Sequence, residues 1–281
     1  MTSQQRWTNS LATLLVIAVG VVLIGPILLL ALFSFNDSSV IALPFQGFTL
    51  EWYEAALNDP AALTALMHSL ILAAVVAPIC VVLGTCTAWA HTRFRFPGRS
   101  ATTGLVGAPL VVPWLVTGIA GLLLFASLDV DLSLETVGLM HVMTTFPLVT
   151  ALVAARLVRF ERSQEEAALD LGASQWQMMT RVVLPQLAPA LAAAFIFAFA
   201  WSFNNFEISF FTGGYDQTFP VWAYSVLRNS NNLPIVNAMS TLISVVQVAV
   251  VYALWWGIRR VSRRRGGGDE LASLVTSGVR A

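Results

Sequence analysis

Charged residues are scarce in this 281-residue chain, and lysine is absent altogether. Charged residues make up 11% of the chain and hydrophobic residues 57%, whereas about a quarter of an ordinary soluble domain is charged. A soluble fold cannot keep so large an apolar fraction away from water, so the composition indicates a membrane protein. Its formal net charge is zero, and no nucleic-acid partner is expected.

The missing lysine excludes one kind of nucleotide site. A Walker A loop needs a lysine that contacts the nucleotide phosphates, so this chain cannot hydrolyse ATP through such a loop. Neither an HExxH nor a GxSxG motif occurs, and the triple glycine at 266–268 is typical of a linker. We therefore expect no catalytic residues, no cofactor and no enzyme activity in this chain.

Cysteine is nearly absent as well. Cys80 and Cys86 lie six positions apart in one apolar run, which places them about 240° apart around a helix. They cannot readily pair with each other, and neither a CxxC motif nor a metal-ligand cluster is present. We expect no metal site.

Six long apolar runs are present. Each is long enough to cross a bilayer, which takes about twenty helical residues, and the first is too long for the core of a signal peptide, so we expect it to stay uncleaved. The predicted fold class is an all-α membrane protein with six transmembrane helices, at about residues 11–35, 62–90, 101–126, 136–157, 189–211 and 238–258. The predicted parts are an N-terminal segment at 1–10, a transmembrane domain at 11–258 and an arginine-rich tail at 259–281.

The arginines orient this arrangement. When the loops are counted alternately, fourteen of the fifteen arginines fall on one side, and Arg228 alone lies on the other. Cytoplasmic loops carry such an excess of positive charge. Both termini, and the loop between the fourth and fifth spans, are therefore predicted to be cytoplasmic.

The third run contains two prolines, Pro109 and Pro113. Proline removes a helical hydrogen bond and clashes with the preceding turn, and the freed backbone groups then need protein or a wet cavity around them. The sequence leaves two interpretations open: a broken helix that faces a polar path, or a simple kink.

The loop at about 158–188 is polar and helix-forming. Ser163 and Glu166 have the spacing of a capping box, and Gly172 supplies a left-handed residue that ends a helix. We predict a cytoplasmic helix of about two turns. It would expose two small residues and three acids, which are Ala167, Ala168, Glu165, Glu166 and Asp170.

The spacing of this loop resembles the signature loop of permease subunits of type I ABC importers. It reads Glu166-Ala167-Ala168, three residues, Gly172, nine residues, then Val182, where the family usually has isoleucine, and Leu184-Pro185. In that family the loop is the coupling helix that sits in a groove of an ATPase subunit. The resemblance implies eight coupling residues: Glu165, Glu166, Ala167, Ala168, Asp170, Gly172, Leu184 and Pro185.

Across about residues 62–258, the permease core, the chain resembles the polyamine-type subfamily, the permeases of spermidine/putrescine importers. The likeness rests on His141-Val142, on Phe146-Pro147-Leu148, on the coupling loop and on the block from Phe211-Thr212-Gly213-Gly214 to Asn237-Ala238. That family commonly has acids where this chain has Asn204 and Asn205, and amides hold a dication less strongly than carboxylates do. The expected solute is a polyamine or a related cationic or zwitterionic compound.

The fifth run carries the best candidates for contact with a solute. A charged residue within hydrocarbon costs a few kcal/mol, so Glu207 either faces the path or reaches the outer interface about four residues away. Asn204 and Asn205 lie deeper, and Trp201 could stack on a cation, although an aromatic stripe is more often packing. The predicted solute path comprises these residues and one of the third run: Trp114, Trp201, Asn204, Asn205 and Glu207.

The resemblance implies alternating access in the bacterial cytoplasmic (inner) membrane, with membrane lipid around the helices. The implied protein partners are a second permease subunit, two ATPase subunits and an extracytoplasmic solute-binding protein. Two other interpretations stay open. A stand-alone ion-coupled carrier often shows inverted repeats, and we detect none. An intramembrane enzyme needs a polar pair at matched depth, and His68, His141 and Glu207 show no such pattern.

Overall fold

A computed structural model describes residues 3–39, 43–229 and 233–264, and these residues are almost entirely helical. A short 3₁₀ turn lies between α4 and α5, and a π-helical stretch, Met179–Val183, lies between α8 and α9. The twelve α-helices of the described ranges are α1 Ser3–Phe33, α2 Glu51–Asn58, α3 Pro60–Arg93, α4 Arg99–Gly107, α5 Trp114–Ser127, α6 Leu134–Val158, α7 Arg162–Asp170, α8 Gln175–Met178, α9 Leu184–Phe203, α10 Glu207–Thr212, α11 Phe219–Asn229 and α12 Leu233–Arg264.

Five segments are long and apolar enough to cross a membrane: most of α1, α3, α6, the stretch from α8 through α9, and the first part of α12. The pair α4 and α5 meets the same criterion only when taken together, and its two parts are bent by 102°. Counted as one span, the pair gives the six predicted crossings. The bend also shows that the third run is broken ahead of Pro113 rather than simply kinked.

The chain divides into two compact units. The first comprises Met1–Pro60 and Ala223–Gly257. Within it, the hydroxyls of Ser34 and Tyr53 lie 2.6 Å apart, and the indole nitrogen of Trp52 donates to the carbonyl oxygen of Asn36 at 2.9 Å. These bonds fasten the end of α1 to α2, the short helix that follows it.

The second unit comprises Ala61–Trp222 and Ile258–Ala281 and contains every residue predicted for coupling or for the solute path. The part of the predicted tail beyond Arg264 lies outside the described residues. The core of this unit lies among α3, α6 and α9. A Cβ atom at Gly84 would lie 2.6 Å from a methyl group of Val149, so α3 and α6 can approach closely there only with glycine. The main buried residues are Leu72, Val76, Cys80, Val149, Val153, Leu157, Leu187, Ala194 and Ala198.

This core continues into the loop between α6 and α9. Met178 at the end of α8 and Val183 in the π-helical stretch are buried in the same cluster, and Ala168 of α7 packs against it. The loop is therefore anchored to the membrane helices, because the side chains on its inner side belong to their hydrophobic core.

A smaller cluster lies among α5, α6 and α10. Its buried members are Phe125, Met140 and Ile208. A Cβ atom at Gly118 would lie 3.0 Å from the carbonyl oxygen of Glu207, so this glycine lets α10 lie directly against α5. The second half of the broken third span thereby meets α10, the helix after α9.

Apolar side chains on the outside of the helices are exposed in the isolated chain. On α1, for example, Leu14, Val16 and Val22 are 67%, 72% and 71% exposed. Contiguous apolar surface of this kind is unfavourable in water and requires lipid or another protein around it.

Candidate functional site

The loop between α6 and α9 carries the predicted coupling helix, and the structure forms it as α7. Gly172 has a φ of +81° and follows the helix end. Its amide donates to the carbonyl of Leu169 at 2.9 Å, and the amide of Ala173 donates to that of Ala168 at 3.0 Å. These two bonds form a Schellman motif, so the predicted role of Gly172 in ending the helix is confirmed.

The predicted start of α7 is wrong. The helix begins at Arg162 with Glu161 as its N-cap, and that residue makes no capping hydrogen bond through its side chain. Ser163 therefore lies inside the first turn and cannot cap it. A capping box does occur in this loop, but it begins α8. There the hydroxyl of Ser174 accepts from the backbone amide of Gln177 at 3.2 Å, and the backbone amide of Ser174 donates to the side-chain oxygen of Gln177 at 2.9 Å.

The outer side of α7 is exposed and partly apolar. Glu166, Ala167 and Asp170 are exposed, as predicted. Beside them Leu171 is 89% exposed and Trp176 is 74% exposed. Large apolar side chains so open on a polar loop between membrane helices are typical of a surface that another protein covers. We call the surface formed by Glu166, Ala167, Asp170, Leu171 and Trp176 the α7 surface.

Five of the eight predicted coupling residues do not belong to the α7 surface. Gly172 follows the helix end, and Ala168, predicted to be exposed, is half-buried and packs against the core instead. Glu165 is buried on the inner side of the helix, where it forms an ion pair with Arg93, so the prediction that it supplies surface charge is wrong. Leu184 and Pro185 are half-buried and begin α9. Proline suits that position, because its missing amide proton is not needed in a first helical turn.

The fifth span is broken, contrary to the prediction of one helix as far as Phe211. Helix α9 ends at Phe203 and α10 begins at Glu207. The side-chain amide of Asn204 donates back to the carbonyl of Ala200 at 2.8 Å, and the side-chain oxygen of Asn205 accepts from the amide of Ile208 at 3.1 Å. Asparagine side chains that bond the nearby backbone compete with helix continuation, and two in succession end α9 here.

A buried histidine ties the two sides of this break together. The hydroxyl of Ser209 donates to the carbonyl of Asn205 at 2.7 Å, so its oxygen is left to accept from Nε2–H of His141 at 3.2 Å. The other ring nitrogen, Nδ1, then accepts from the hydroxyl of Ser202 at 3.0 Å. This network assigns the tautomer of His141 and joins α6 to α9 and to α10 at once.

His141→Leu will destabilise this junction. The leucine fills a similar volume but leaves two buried hydroxyls without their partner, at a cost of about 2–4 kcal/mol in all. The melting temperature of the purified protein in detergent measures the loss. Thr144→Val is the matched control, because Thr144 is buried on the same helix but bonds only backbone carbonyls of that helix, those of Met140 and His141. Equal melting temperatures for the two variants would contradict a structural role for His141.

The five predicted path residues lie around the breaks of the third and fifth spans, but not all of them expose a polar group. The rings of Trp114 and Trp201 meet edge to face with centroids 4.5 Å apart. Asn204 is exposed and Glu207 is half-buried. Asn205 is buried, and its side-chain oxygen caps the start of α10. That oxygen therefore stabilises the fold.

The segment 212–219 after α10 is held by α3. Nδ1 of His68 lies 3.1 Å from the carbonyl oxygen of Gln217, and the hydroxyl of Ser69 accepts from the amide of Phe219 at 2.8 Å. His68 therefore has a structural partner, which is the commoner situation for an isolated histidine.

The same segment is also held by the start of α6. The carboxylate of Asp216 accepts from the amide of Leu134 at 3.1 Å, and the hydroxyl of Thr136 donates to the carbonyl of Thr212 at 2.6 Å. We call this set of contacts on 212–219 the outer clamp. Asp216 caps a helix that begins 82 residues earlier in the chain, and no local pattern in the sequence could have indicated that partner.

Comparison with known proteins places these features in a family. Residues 80–265 match the family described as binding-protein-dependent transport system inner membrane component. The chain is 34% identical over 251 residues to the putrescine transport system permease protein PotI of Escherichia coli (strain K12), covering 86% of this chain and 89% of that one. It is also 34% identical over 229 residues to the spermidine/putrescine transport system permease protein PotC of the same organism, covering 81% and 86%.

Among solved structures, the chain is similar to one in the crystal structure of a bacterial ABC transporter involved in the import of the acidic polysaccharide alginate. The TM-score is 0.73, and the match covers 92% of this chain and 97% of that chain. The sequences are only 15% identical, so this likeness shows a shared fold.

Proposed function

Because the chain belongs to the family of binding-protein-dependent transport system inner membrane components, we propose that its α7 surface receives a separate ATPase subunit and that its broken spans line one half of a solute pathway. The chain is a multi-pass permease subunit of the bacterial inner membrane. Its relatives are named as permease proteins, which agrees with the prediction that ATP hydrolysis takes place in another polypeptide.

One observation carries the coupling proposal. The α7 surface is the exposed side of a helix whose other side is anchored in the core of the membrane helices, and it presents Leu171 and Trp176 to solvent. A force applied to such a surface reaches the membrane helices, whereas a flexible loop would absorb it. Alternating access then follows if closure of two ATPase subunits displaces α7.

Purification of the intact assembly tests this function against the alternatives. We expect the chain, extracted in a mild detergent, to bring ATPase chains and a second permease chain with it. A chain that purifies alone and still moves solute in proteoliposomes without ATP would instead be a stand-alone ion-coupled carrier. Hydrolytic activity of the purified chain itself would favour an intramembrane enzyme.

The proposed solute is a small organic amine, either a polyamine or a related cationic or zwitterionic compound. The relatives named for putrescine and spermidine support the class. The aromatic pair of Trp114 and Trp201 supports it as well, because aromatic faces attract cations. The buried indole nitrogen of Trp201 has no hydrogen-bond partner within the described ranges.

The ligand specificity of the partner binding protein identifies the solute. Calorimetric titration of that protein with putrescine, spermidine and glycine betaine compares a dication, a larger polycation and a zwitterion. We expect one of the three to bind at micromolar concentration. Binding of an anion or a neutral sugar in their place would contradict the proposed class.

Glu207→Gln will raise the half-saturation concentration for uptake about five- to tenfold, because a hydrogen bond to a charged group is about 1 kcal/mol stronger than one to a neutral group. Uptake of the ligand identified for the binding protein measures the change, and the amount of assembled complex should stay constant. Asp131→Asn is the matched control, since Asp131 is an exposed acid ahead of α6. Unchanged kinetics in Glu207→Gln would remove this residue from the path.

We further propose that both termini are cytoplasmic, on the evidence of fourteen arginines on one side of the predicted crossings. In this arrangement residues 1–10 are an N-terminal segment and 11–258 are the transmembrane permease domain, with a core at about 62–258. An extracytoplasmic binding protein then docks on the side opposite α7. The second half of the pathway comes from another permease chain or from a second copy of this one.

A further inference from the structure

The contact between α7 and the end of α3 is an ion pair withdrawn from water. Nε of Arg93 donates to Oε1 of Glu165 at 2.9 Å, and Nη2 lies 2.6 Å from the same oxygen. The two side chains are only 9% and 11% exposed. Two charges shielded from water in this way attract each other more strongly than a surface pair does, and their relative orientation is more restricted.

Arg93 is held from several directions at once. Its Nη2 also donates to the carbonyl of Leu157 near the end of α6 at 3.3 Å. The guanidinium carbon lies 5.4 Å from the ring centroid of Trp89 and 6.0 Å from that of Phe160. Arg93 thus joins α3, the end of α6 and α7 through one planar group, which has little freedom to change direction.

Other contacts between α7 and the membrane helices are more open to water. Arg162 donates to the carbonyl of Thr92 at 2.9 Å, and Gln186 of α9 donates to the side chain of Gln164 at 2.7 Å, but both bonds are exposed. Water can replace exposed hydrogen bonds with little loss. Among these polar contacts, the buried pair is the one that resists rotation of α7 about its own axis.

We propose that the Arg93–Glu165 pair is the rigid linkage through which α3 follows α7 when the ATPase subunits close. The inference rests on the proposed coupling function of α7 and adds two positioning residues that do not touch the ATPase. The pair is suited to this role because its attraction depends on direction. Apolar groups of similar size would stabilise the same contact equally well but would let the two helices slide.

That difference supplies a test that separates a linkage from a merely structural ion pair. Removing one partner leaves a buried charge uncompensated and is destabilising in any case, whereas replacing both with apolar residues avoids that cost. The decisive variant is therefore the double replacement Arg93→Met with Glu165→Leu, compared with Glu165→Gln alone. Arg95→Gln is the matched control, because Arg95 is exposed two residues beyond the end of α3.

The measurement is the distance between spin labels in the intact transporter, which needs no knowledge of the solute. Labels at Ser163→Cys on α7 and Val82→Cys on α3, in a Cys86→Ser background, report whether the two helices move as one body. Both positions are exposed. With the ion pair present, we expect the same distance with ADP and with trapped ATP and vanadate. In the double variant we expect a shifted or broadened distance on trapping, with normal ATPase association and continued ATP hydrolysis.

Two results would overturn the linkage. A double variant whose distance is as insensitive to trapping as that of the unaltered chain would show that packing alone couples the helices. A double variant that no longer binds the ATPase would show that the pair builds the α7 surface instead. Failure of the proposed coupling function would give a different result. In that case Glu166→Lys, which leaves the Arg93–Glu165 pair intact, would not weaken ATPase binding.

Discussion

Glu166→Lys will weaken association of the ATPase with this chain by at least tenfold and lower solute uptake with it. Glu166 lies exposed on α7 beside Leu171 and Trp176, so the change reverses a charge within the proposed interface without disturbing the core. A charge of the wrong sign in an interface costs several kcal/mol, and about 1.4 kcal/mol already gives a tenfold change in an equilibrium constant. Co-purification of ATPase chains, compared at equal amounts of membrane protein, measures the effect.

The matched control for this prediction is Glu161→Lys. Glu161 is also an exposed acid of the same loop, but it precedes α7 as its N-cap and makes no capping bond through its side chain. The control changes net charge by the same amount, so a general electrostatic effect would appear in both variants. If both variants retain the ATPase equally, α7 is not the docking site and the coupling proposal fails.

Gly214→Ala will destabilise the protein, through the outer clamp, more than alanine at Gly98 or Gly172, the other glycines of positive φ in the described ranges. The φ of Gly214 is +58°, and a Cβ atom there would lie 2.6 Å from the carbonyl oxygen of Leu132. The backbone conformation costs an alanine about 1–2 kcal/mol, and overpacking against a fixed backbone atom costs about 1–3 kcal/mol more. The melting temperature of the purified protein in detergent reports the sum.

Gly98→Ala isolates the first of these two costs. Gly98 has a φ of +82°, but no atom lies within 4 Å of the Cβ position. We therefore expect a loss of about 1–2 kcal/mol there and a clearly larger one at Gly214. If the two variants lose equal stability, the outer clamp yields to an added methyl group and is not the rigid structure that its hydrogen bonds indicate.

Local chemistry predicted some features of the coupling loop correctly and others wrongly. Gly172 was predicted to end a helix, and it does so with a left-handed backbone. Its effect is local, since a glycine at a helix end needs only its own hydrogen bonds. The start of α7 was mispredicted, because the loop enters the helix at Arg162 while the buried pair of Arg93 and Glu165 holds the first turn against α3. Arg93 lies 72 positions earlier, so no local pattern contains it.

The broken spans also combine features that local residues predict with features that depend on distant residues. Pro109 and Pro113 indicated an irregularity in the third run, because proline acts on its own helix. Asn204 and Asn205 gave a weaker local signal, and we predicted a continuous fifth span where the structure has two helices. The asparagine side chains bond the adjacent backbone, and the sequence alone could not show that His141 would hold both sides of the resulting break.

The sequence by itself determined that the chain crosses a membrane, that its spans number six with the broken one counted, and that it carries the signature loop of a permease family. Those conclusions depend on apolar length, charge distribution and fixed spacing, which are properties of neighbouring residues. Only the tertiary structure decided which side of α7 faces outward, which acid is withdrawn into an ion pair, and how the outer clamp is tied to α3 and α6. Those outcomes depend on partners far apart in the chain, whose meeting is fixed by the packing of whole helices.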